Sequence, residues 1–210
     1  MRKVIWYNLI TLDGFFEGPN REIDWHNVDE EYNKFAAEML DSLDLLWFGR
    51  VTYELMANYW PTEAAITDDP IIAEKMNSKP KVVFSTRLEN VAWSNSTLIK
   101  KNFIKEASKM EHTSGRDIGV FGSAILGDSL LEAGLVDEIW VMVNPVVLRH
   151  GRSLFSDGVE RLNLKRLDSR MFANGNVLMT YQPVVREKNF WQRLFQARRP
   201  AIKRPSRVEV

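Results

Sequence analysis

The segment Asp117–Leu135, DIGVFGSAILGDSLLEAGL, decides the fold predicted for this chain. Its first part, Ile118–Phe121, is a short apolar run of the kind found in buried strands. Gly122 and Ser123 follow at once, and the apolar residues after them recur at helical spacing up to Gly134, a residue type that commonly ends helices. The order strand, glycine, small hydroxyl, helix predicts an α/β protein in which backbone N–H groups and a helix N-terminus can hold a phosphate. A tight turn without a ligand explains the same residues equally well.

Composition places the chain among ordinary globular proteins of one domain. Its 210 residues are 45% hydrophobic and 27% charged, and the absence of cysteine excludes disulfides and thiolate metal sites. No apolar run reaches the roughly 18 residues that a membrane span needs, and the N-terminus does not resemble a secretory signal. A cytoplasmic location and no membrane partner are therefore expected. The three histidines stand apart in the sequence, so no metal site is predicted.

The net charge of zero hides a difference between the body of the chain and its C-terminus. Residues 186–210 contain eight Lys and Arg against two Asp and Glu, a net +6, whereas residues 1–185 contain 20 against 26, a net −6. An acidic body argues against nucleic acid as a partner. We therefore divide the chain into one α/β domain, residues 1–185, and a basic C-terminal tail, residues 186–210, which is expected to be flexible or to contact a partner subunit.

The rest of the chain alternates strands with helices. Strands are predicted at 3–12, 45–48, 81–84, 97–99, 118–121, 136–143 and 146–148, with a closing antiparallel pair at 162–167 and 176–182. Besides the helix of the segment quoted above, helices are predicted at 28–43, with Asn27 as N-cap, and at 53–59, 68–78 and 103–110. This order predicts a mixed, mostly parallel sheet flanked by helices, with an antiparallel strand pair at the C-terminus.

Two further strand ends carry residues suited to an anion. Gly49, Arg50 and Thr52 follow the strand at 45–48, and Ser85, Thr86 and Arg87 follow the strand at 81–84. Arginine can bind a phosphate through two parallel N–H bonds, and a small hydroxyl can bond it from the first turn of a helix. Each end alone is explained by a solvated loop, but three such ends in one α/β chain favour an anion site.

Carboxylates at two places in the sequence are candidates to face a cleft. Asp13 closes the first strand in an Asp-Gly turn, and turn chemistry alone also explains it. Asp29, Glu30 and Glu31 crowd the first turn of the helix at 28–43, where acidic residues suit the helix dipole. Of these three, Glu31 lies on the flank of the buried face, so it is the one expected to reach a cleft, with Asp29 second.

Together these motifs resemble the dihydrofolate reductase superfamily, and above all the branch that includes the reductase domain of riboflavin biosynthesis. The resemblance covers about residues 1–184 and rests on six segments in order: TLDG at 11–14, LWFGRVTYE at 46–54, VVFSTR at 82–87, VFGSAIL at 120–126, GLVDEIW at 134–140 and PVVLRHG at 145–151. Two positions depart from the family pattern. The double glycine corresponds to Phe121-Gly122 here, and Arg149 stands at the first glycine of the second glycine motif.

The resemblance implies NADPH as the cofactor, held by the residues that match the family's motifs: Gly49, Arg50, Thr52, Ser85, Thr86, Arg87, Gly122, Ser123, Ala124 and Ile125. It also implies a heterocyclic substrate beside Trp25 and Phe35, with Glu31 or Asp13 as the catalytic acid. A homodimer is a further implication of the resemblance.

The sequence therefore predicts an NADPH-dependent oxidoreductase that transfers hydride to a pteridine- or pyrimidine-like heterocycle. Both a dihydrofolate reductase-like and a 5-amino-6-(5-phosphoribosylamino)uracil reductase-like enzyme fit this description. The zinc-site motif of the deaminase half of the bifunctional riboflavin enzyme is absent from the sequence. The alternative is a non-catalytic nucleotide-binding protein that retains the fold, and an assay of NADPH oxidation would distinguish the two.

Overall fold

The structure, a computed structural model, describes residues 1–155 and 161–184. The strands are β1 Val4–Thr11, β2 Phe15–Glu17, β3 Leu43–Gly49, β4 Lys81–Phe84, β5 Ser96–Ile99, β6 Asp117–Phe121, β7 Glu138–Asn144, β8 Arg152–Ser153, β9 Asn163–Met171 and β10 Val177–Val184. The helices are α1 Glu30–Ser42, α2 Arg50–Ala57, α3 Glu63–Asp68, α4 Pro70–Ser78, α5 Phe103–Glu111 and α6 Ala124–Glu132.

Eight of the strands form one sheet in the order β5-β4-β3-β6-β1-β7-β10-β9, and β2 pairs separately with β8. The run from β5 to β7 is parallel throughout. β10 runs antiparallel to both β7 and β9. The predicted fold class, a mixed and mostly parallel sheet flanked by helices with a C-terminal antiparallel strand pair, is therefore confirmed.

Apolar side chains cover both faces of the sheet, because successive residues of a strand point to opposite faces. On one face Tyr7 packs against Phe35 of α1, with their ring centroids 6.1 Å apart. On the other face the fully buried Trp6 and Trp47 belong to the cluster that contains Leu126 of α6. Helices therefore occupy the faces, and the carboxyl ends of the parallel strands are left to carry loops.

The structure corrects two predicted helix starts. α1 is capped by Asp29 and not by Asn27, since the Asp29 carboxylate accepts a hydrogen bond from the Tyr32 N–H at 2.8 Å. α4 begins at Pro70 rather than at Asp68, because the residue before a proline avoids the helical conformation. The separate short helix α3 ends at Asp68 and was not predicted.

The segment 146–148, predicted as a strand, is not one. Its backbone is engaged by the turn after β1 instead of by a neighbouring strand. The Leu12 N–H donates to the Val146 carbonyl at 2.8 Å, and the Leu148 N–H donates to the Asp13 carboxylate at 3.2 Å. These bonds hold the segment as a loop against the turn after β1.

The predicted boundary between the domain and its tail falls among residues outside the described ones, as does the whole tail, 186–210. Within residues 1–155 and 161–184, no helix combines the length and the apolar character needed to cross a membrane.

Candidate functional site

A groove of about 470 Å³ runs along the carboxyl ends of the parallel strands. Nine of the ten residues predicted to bind a cofactor line it: Gly49, Arg50, Thr52, Ser85, Thr86, Arg87, Ser123, Ala124 and Ile125. The tenth, Gly122, directly precedes Ser123. The structure therefore brings three separate segments of the chain to one groove. That these residues bind a cofactor stays a prediction.

The turn between β6 and α6 has an unusual backbone. Gly122 and Ser123 both adopt left-handed conformations, with φ of +55° and +54°. Glycine suits position 122, because a Cβ there would lie 3.0 Å from the Thr52 hydroxyl oxygen at a φ that side chains rarely adopt. The pair of residues with positive φ at this turn is thus 122–123. Serine occupies its second position.

The hydroxyl of Ser123 joins the β6–α6 turn to the β3–α2 turn. The Gly49 N–H donates to Ser123 Oγ at 2.7 Å, and Ser123 Oγ donates to Thr52 Oγ1 at 2.8 Å. The Ser123 N–H also donates to Thr52 Oγ1, at 3.0 Å. Because Gly49 and Ser123 are the residues that precede α2 and α6, these bonds hold the two helix starts together.

Both of these helix starts offer free N–H groups to the groove. Among the described residues, no side chain caps α2 or α6. The first N–H groups of a helix have no partner inside the helix, and together they carry a partial positive charge. Two such N-termini side by side form a site that suits a doubly charged linker such as a pyrophosphate.

Three guanidinium groups surround the groove. Arg50 is the first residue of α2, and its Nη1 lies 2.7 Å from a carboxylate oxygen of Glu54 one turn later. Arg87 is exposed and forms no ion pair within the described part of the chain. The third, Arg152, comes from β8 and was missed by the sequence analysis. Arg50 and Arg152 each lie beside a carboxylate, that of Glu54 and that of Glu17, so the unpaired positive charge of the described groove is that of Arg87.

The family model for the RibD C-terminal domain matches residues 2–178. This chain belongs to the RibD C-terminal domain family. It is 34% identical over 180 residues to the uncharacterized protein YyaP of Bacillus subtilis. The alignment covers 86% of this chain and 94% of YyaP. The uncharacterized protein YwjB of the same organism is 23% identical over 172 residues, covering 81% of this chain and 92% of YwjB. The resemblance predicted from the six sequence segments is thus confirmed.

Solved structures share the RibD C-terminal domain fold. A Shewanella protein named for riboflavin biosynthesis gives a TM-score of 0.67 at 19% identity, covering 87% of this chain and 99% of that one. A pyrimidine reductase-like protein of Corynebacterium diphtheriae gives a TM-score of 0.62 at 13% identity, covering 88% of this chain and 93% of that one. A Thermotoga maritima diaminohydroxyphosphoribosylaminopyrimidine deaminase/5-amino-6-(5-phosphoribosylamino)uracil reductase gives 0.62 at 13%, covering 87% of this chain and 57% of that one. At these identities the likeness concerns the fold alone.

One wall of the groove in this RibD C-terminal domain was not anticipated from the sequence. It consists of β2 and β8, a three-residue and a two-residue strand that pair with each other and contribute Phe16, Glu17 and Arg152. Strands this short show no readable periodicity. The available signal was the Asp13-Gly14 turn, because a turn after a strand followed by apolar residues indicates a chain that reverses direction.

Asp13 does not lie among the described residues that line the groove, and its carboxylate organises the loop after β7. It accepts hydrogen bonds from the Thr11 hydroxyl at 2.6 Å and from the Arg149 N–H at 2.8 Å. The bond from Thr11, followed by the backbone bonds from Arg149 and Leu148, lowers the pKa of Asp13 below its ordinary value. These contacts favour a structural role, and proton donation by Asp13 stays a prediction.

Glu31, the other predicted acid, is engaged by the hairpin between β9 and β10. The Ala173 N–H donates to Glu31 Oε2 at 2.9 Å, and Nη2 of Arg170 lies 3.5 Å from Glu31 Oε1. Among the described residues that line the groove, Glu31 does not occur. The structure therefore does not bring the two predicted acids together with the predicted cofactor residues, and catalysis by Glu31 stays a prediction.

The two predicted substrate residues also lie apart from the described lining of the groove. Phe35 is 6% exposed and packs in the core against Tyr7 and Phe172. Trp25 is half-buried, and its ring meets that of His26 edge-on at a centroid distance of 4.5 Å. Burial lowers the pKa of His26 to about 4, so this side chain is neutral at physiological pH. Within the described ranges, no three acidic or histidine side chains converge as metal ligands.

Proposed function

We propose that this chain is an NADPH-dependent reductase that transfers hydride to a pteridine- or pyrimidine-like heterocycle. The family and the named structural neighbours support the coarser part of the proposal, an oxidoreductase of the pyrimidine reductase-like kind. The finer part is carried by one observation. Two helix N-termini that no described side chain caps and the guanidinium groups of Arg50 and Arg87 converge on a single groove.

The residues of the groove fit the coenzyme part by part. The N–H groups at the starts of α2 and α6 suit its pyrophosphate, and Arg50 adds positive charge beside them. Phe84 and Phe103, whose ring centroids are 5.8 Å apart, form an apolar wall against which a planar ring can pack. When bound, NADPH would supply the hydride, while the chain itself binds the coenzyme, orients it and limits the access of water.

The predicted preference for NADPH over NADH depends on Arg50 and on Arg87 in the loop after β4. Ser85 accepts a hydrogen bond from the Arg87 N–H at 3.1 Å, which shapes the loop, and the Arg87 side chain is exposed at the groove. A 2′-phosphate placed there would gain a charge-assisted bond that NADH cannot make. We expect NADPH to bind at least about tenfold more tightly than NADH in calorimetric titrations. Equal affinities would contradict the assignment of this loop.

Activity is tested by the oxidation of NADPH in the presence of dihydrofolate and, separately, of 5-amino-6-(5-phosphoribosylamino)uracil. Turnover on the order of 1–10³ per second with either compound supports the reductase and names its substrate class. The controls are protein with NADPH but neither compound, and protein with NADH in place of NADPH. Tight binding of NADPH with no oxidation by any compound of either class would contradict a reductase.

The second candidate function is non-catalytic nucleotide binding. It is favoured by the contacts of the two predicted acids, since the carboxylates of Asp13 and Glu31 are both bonded to backbone N–H groups of other loops. A protein of this kind would bind NADPH through the same groove and leave it unoxidised. The titration and the oxidation assay together therefore separate the two functions.

A further inference from the structure

A carboxylate lies in the groove although the rest of the groove suits anions. Glu17 ends β2, and its side chain is only 9% exposed. Its Oε1 accepts a hydrogen bond from Nη1 of Arg152 at 2.8 Å, and the two residues are direct partners in the pairing of β2 with β8. Both side chains line the groove. One place in the groove therefore presents an acceptor and a donor next to each other.

The second oxygen of Glu17 is available to a ligand. Within the described residues no donor bonds Glu17 Oε2, and this oxygen is not one of the buried polar atoms that lack a partner. The guanidinium of Arg152 is also held from another side, since its central carbon lies 5.7 Å from the centroid of the Phe16 ring. Carboxylate and guanidinium are thus fixed relative to each other before a ligand enters.

The Glu17–Arg152 pair and Arg87 lie at opposite ends of the groove. Arg87 follows β4, whereas Glu17 belongs to β2, which directly follows β1. In the sheet, β3 and β6 stand between β4 and β1. The N-termini of α2 and α6, which follow β3 and β6, therefore lie between the two ends. A dinucleotide with its pyrophosphate at these N-termini and its 2′-phosphate at Arg87 would extend its other half toward Glu17.

The chemistry of this second end differs from that of a phosphate site. A carboxylate repels a phosphate, so the Glu17 end suits a neutral polar group. A primary carboxamide has an NH₂ that donates and an oxygen that accepts, and it complements a carboxylate beside a guanidinium. The half of NADPH that lies away from the 2′-phosphate carries such a carboxamide on its nicotinamide ring.

We propose that Glu17 and Arg152 bind the nicotinamide carboxamide and fix the orientation of the ring in the groove. Glu17 Oε2 accepts from the amide NH₂, and Arg152 donates to the amide oxygen. This inference rests on the proposed function, because it requires the coenzyme in the groove. It assigns to the β2–β8 pair a role in coenzyme specificity that is separate from the roles predicted for Asp13 and Glu31.

The test compares three ligands by calorimetric titration. They are NADP⁺, its 3-acetylpyridine analogue, in which a methyl group replaces the amide nitrogen, and 2′,5′-ADP, which lacks the nicotinamide half. The variant Glu17→Met removes both oxygens at nearly constant length, and Glu17→Gln serves if that variant does not fold. Glu22→Met is the matched control, because Glu22 lies in the next loop, bonds the Asn20 N–H at 2.7 Å and is not among the described lining residues.

The wild-type protein is expected to bind NADP⁺ about tenfold more tightly than the acetylpyridine analogue. Glu17→Met should bind NADP⁺ and the analogue equally well and keep the wild-type affinity for 2′,5′-ADP. Glu17→Gln should reduce the difference in affinity between NADP⁺ and the analogue. Glu22→Met should behave as the wild type. The inference is overturned if the Glu17 variants keep the wild-type ratio, or if they lose affinity for 2′,5′-ADP to the same extent as for NADP⁺. A wild-type protein that binds neither NADP⁺ nor 2′,5′-ADP overturns the proposed function and this inference with it.

Discussion

Arg149 adopts a left-handed backbone conformation, with φ of +68°, at the position that matches the first glycine of the family's second glycine motif. A residue with a Cβ is less stable there by about 1–2 kcal/mol, because the Cβ crowds the following carbonyl oxygen. The conformation persists because the Arg149 N–H donates to Asp13 Oδ2 at 2.8 Å. Arginine at this position therefore strains the loop, and the bond to Asp13 offsets the strain.

Replacing Arg149 by glycine is expected to stabilise the protein by about 1 kcal/mol, since the strain is relieved and the N–H that bonds Asp13 is kept. Urea denaturation of the two proteins measures the difference in free energy of unfolding. Arg166→Gly in β9 is the matched control, because its extended backbone needs no glycine, and it should destabilise by about 0.5–1 kcal/mol. An equal decrease in the free energy of unfolding in both variants would show that residue 149 is not strained.

The connection between α4 and β4 is held by a buried lysine. Lys81 is 1% exposed, and its Nζ donates to the carbonyl oxygens of Asn77 at 3.1 Å, Lys79 at 2.7 Å and Ser94 at 3.1 Å. It also lies 4.4 Å from the centroid of the Trp93 ring. Two of these carbonyls belong to the end of α4, so Lys81 satisfies groups that the helix itself leaves unpaired. Burial lowers the pKa of Lys81 to about 8.

Lys81→Met is expected to lower the free energy of unfolding at pH 7 by about 1–3 kcal/mol, because three carbonyls lose their donor. The gap to the wild type should widen between pH 8 and about pH 10. In that range the folded wild type has released the Lys81 proton, whereas the unfolded chain keeps it up to the ordinary lysine pKa of 10.5, so wild-type stability rises with pH through this group.

Urea denaturation of both proteins at pH 7 and about pH 9.5 measures this widening. The exposed Lys105→Met in α5 is the control, and its difference from the wild type should stay within about 0.5 kcal/mol at both pH values. A gap that shrinks as the pH rises would mean that Lys81 is stabilised by its charge, contrary to the effect of burial.

The elements that the sequence predicted well are those whose signals are local. β4 was predicted at its observed bounds, Lys81–Phe84, because four consecutive residues of a buried strand are followed at once by polar turn residues. The start of α2 at Arg50 was missed because its N-cap is Gly49, which lacks the capping side chain by which a helix start is recognised in a sequence. β2 and β8 were missed because each is stabilised by a partner about 135 residues away in the chain.

The same distinction applies to the candidate site. The residues after β3, β4 and β6 could be placed in one groove from the sequence, because parallel neighbouring strands end at the same edge of a sheet. Glu17 and Arg152 could not, since their approach depends on a pairing that no local pattern encodes. The predicted site role of Phe35 rested on family resemblance and that of Glu31 also on its angle around the helix, and the contacts of both side chains are set by the β9–β10 hairpin.

The sheet ends in an exposed edge strand. β9 pairs with β10 on one side and has no neighbour on the other among the described residues. It exposes apolar side chains, with Leu167 44% and Met171 83% exposed. The register with β10 shifts at Leu167, since Asp168 pairs with Thr180 and Arg166 with Tyr181. A two-fold contact centred on Leu167 would bring Arg166 of one copy near Asp168 of the other, a favourable charge pair. The homodimer implied by the family resemblance stays a prediction, and β9 is the surface at which we test it.

Leu167→Lys is expected to convert a wild-type dimer to a monomer, because a two-fold contact would bring the two introduced charges together at its centre. Sedimentation velocity at micromolar concentrations measures the oligomeric state. Ile71→Lys in α4 is the control, since this side chain is 62% exposed and lies on a helix instead of the sheet edge. A monomeric wild type, or a dimer that withstands Leu167→Lys, would exclude β9 as the contact.

The hydroxyl bonds that connect Ser123 with Gly49 and Thr52 make the two turns one rigid unit. A ligand that reaches one turn meets the other already aligned, so little of its binding free energy is used to order the protein. Discrimination then depends on the length of the ligand's anionic linker. A linker of matching length contacts both helix starts at once, and one that is too short cannot draw them closer together.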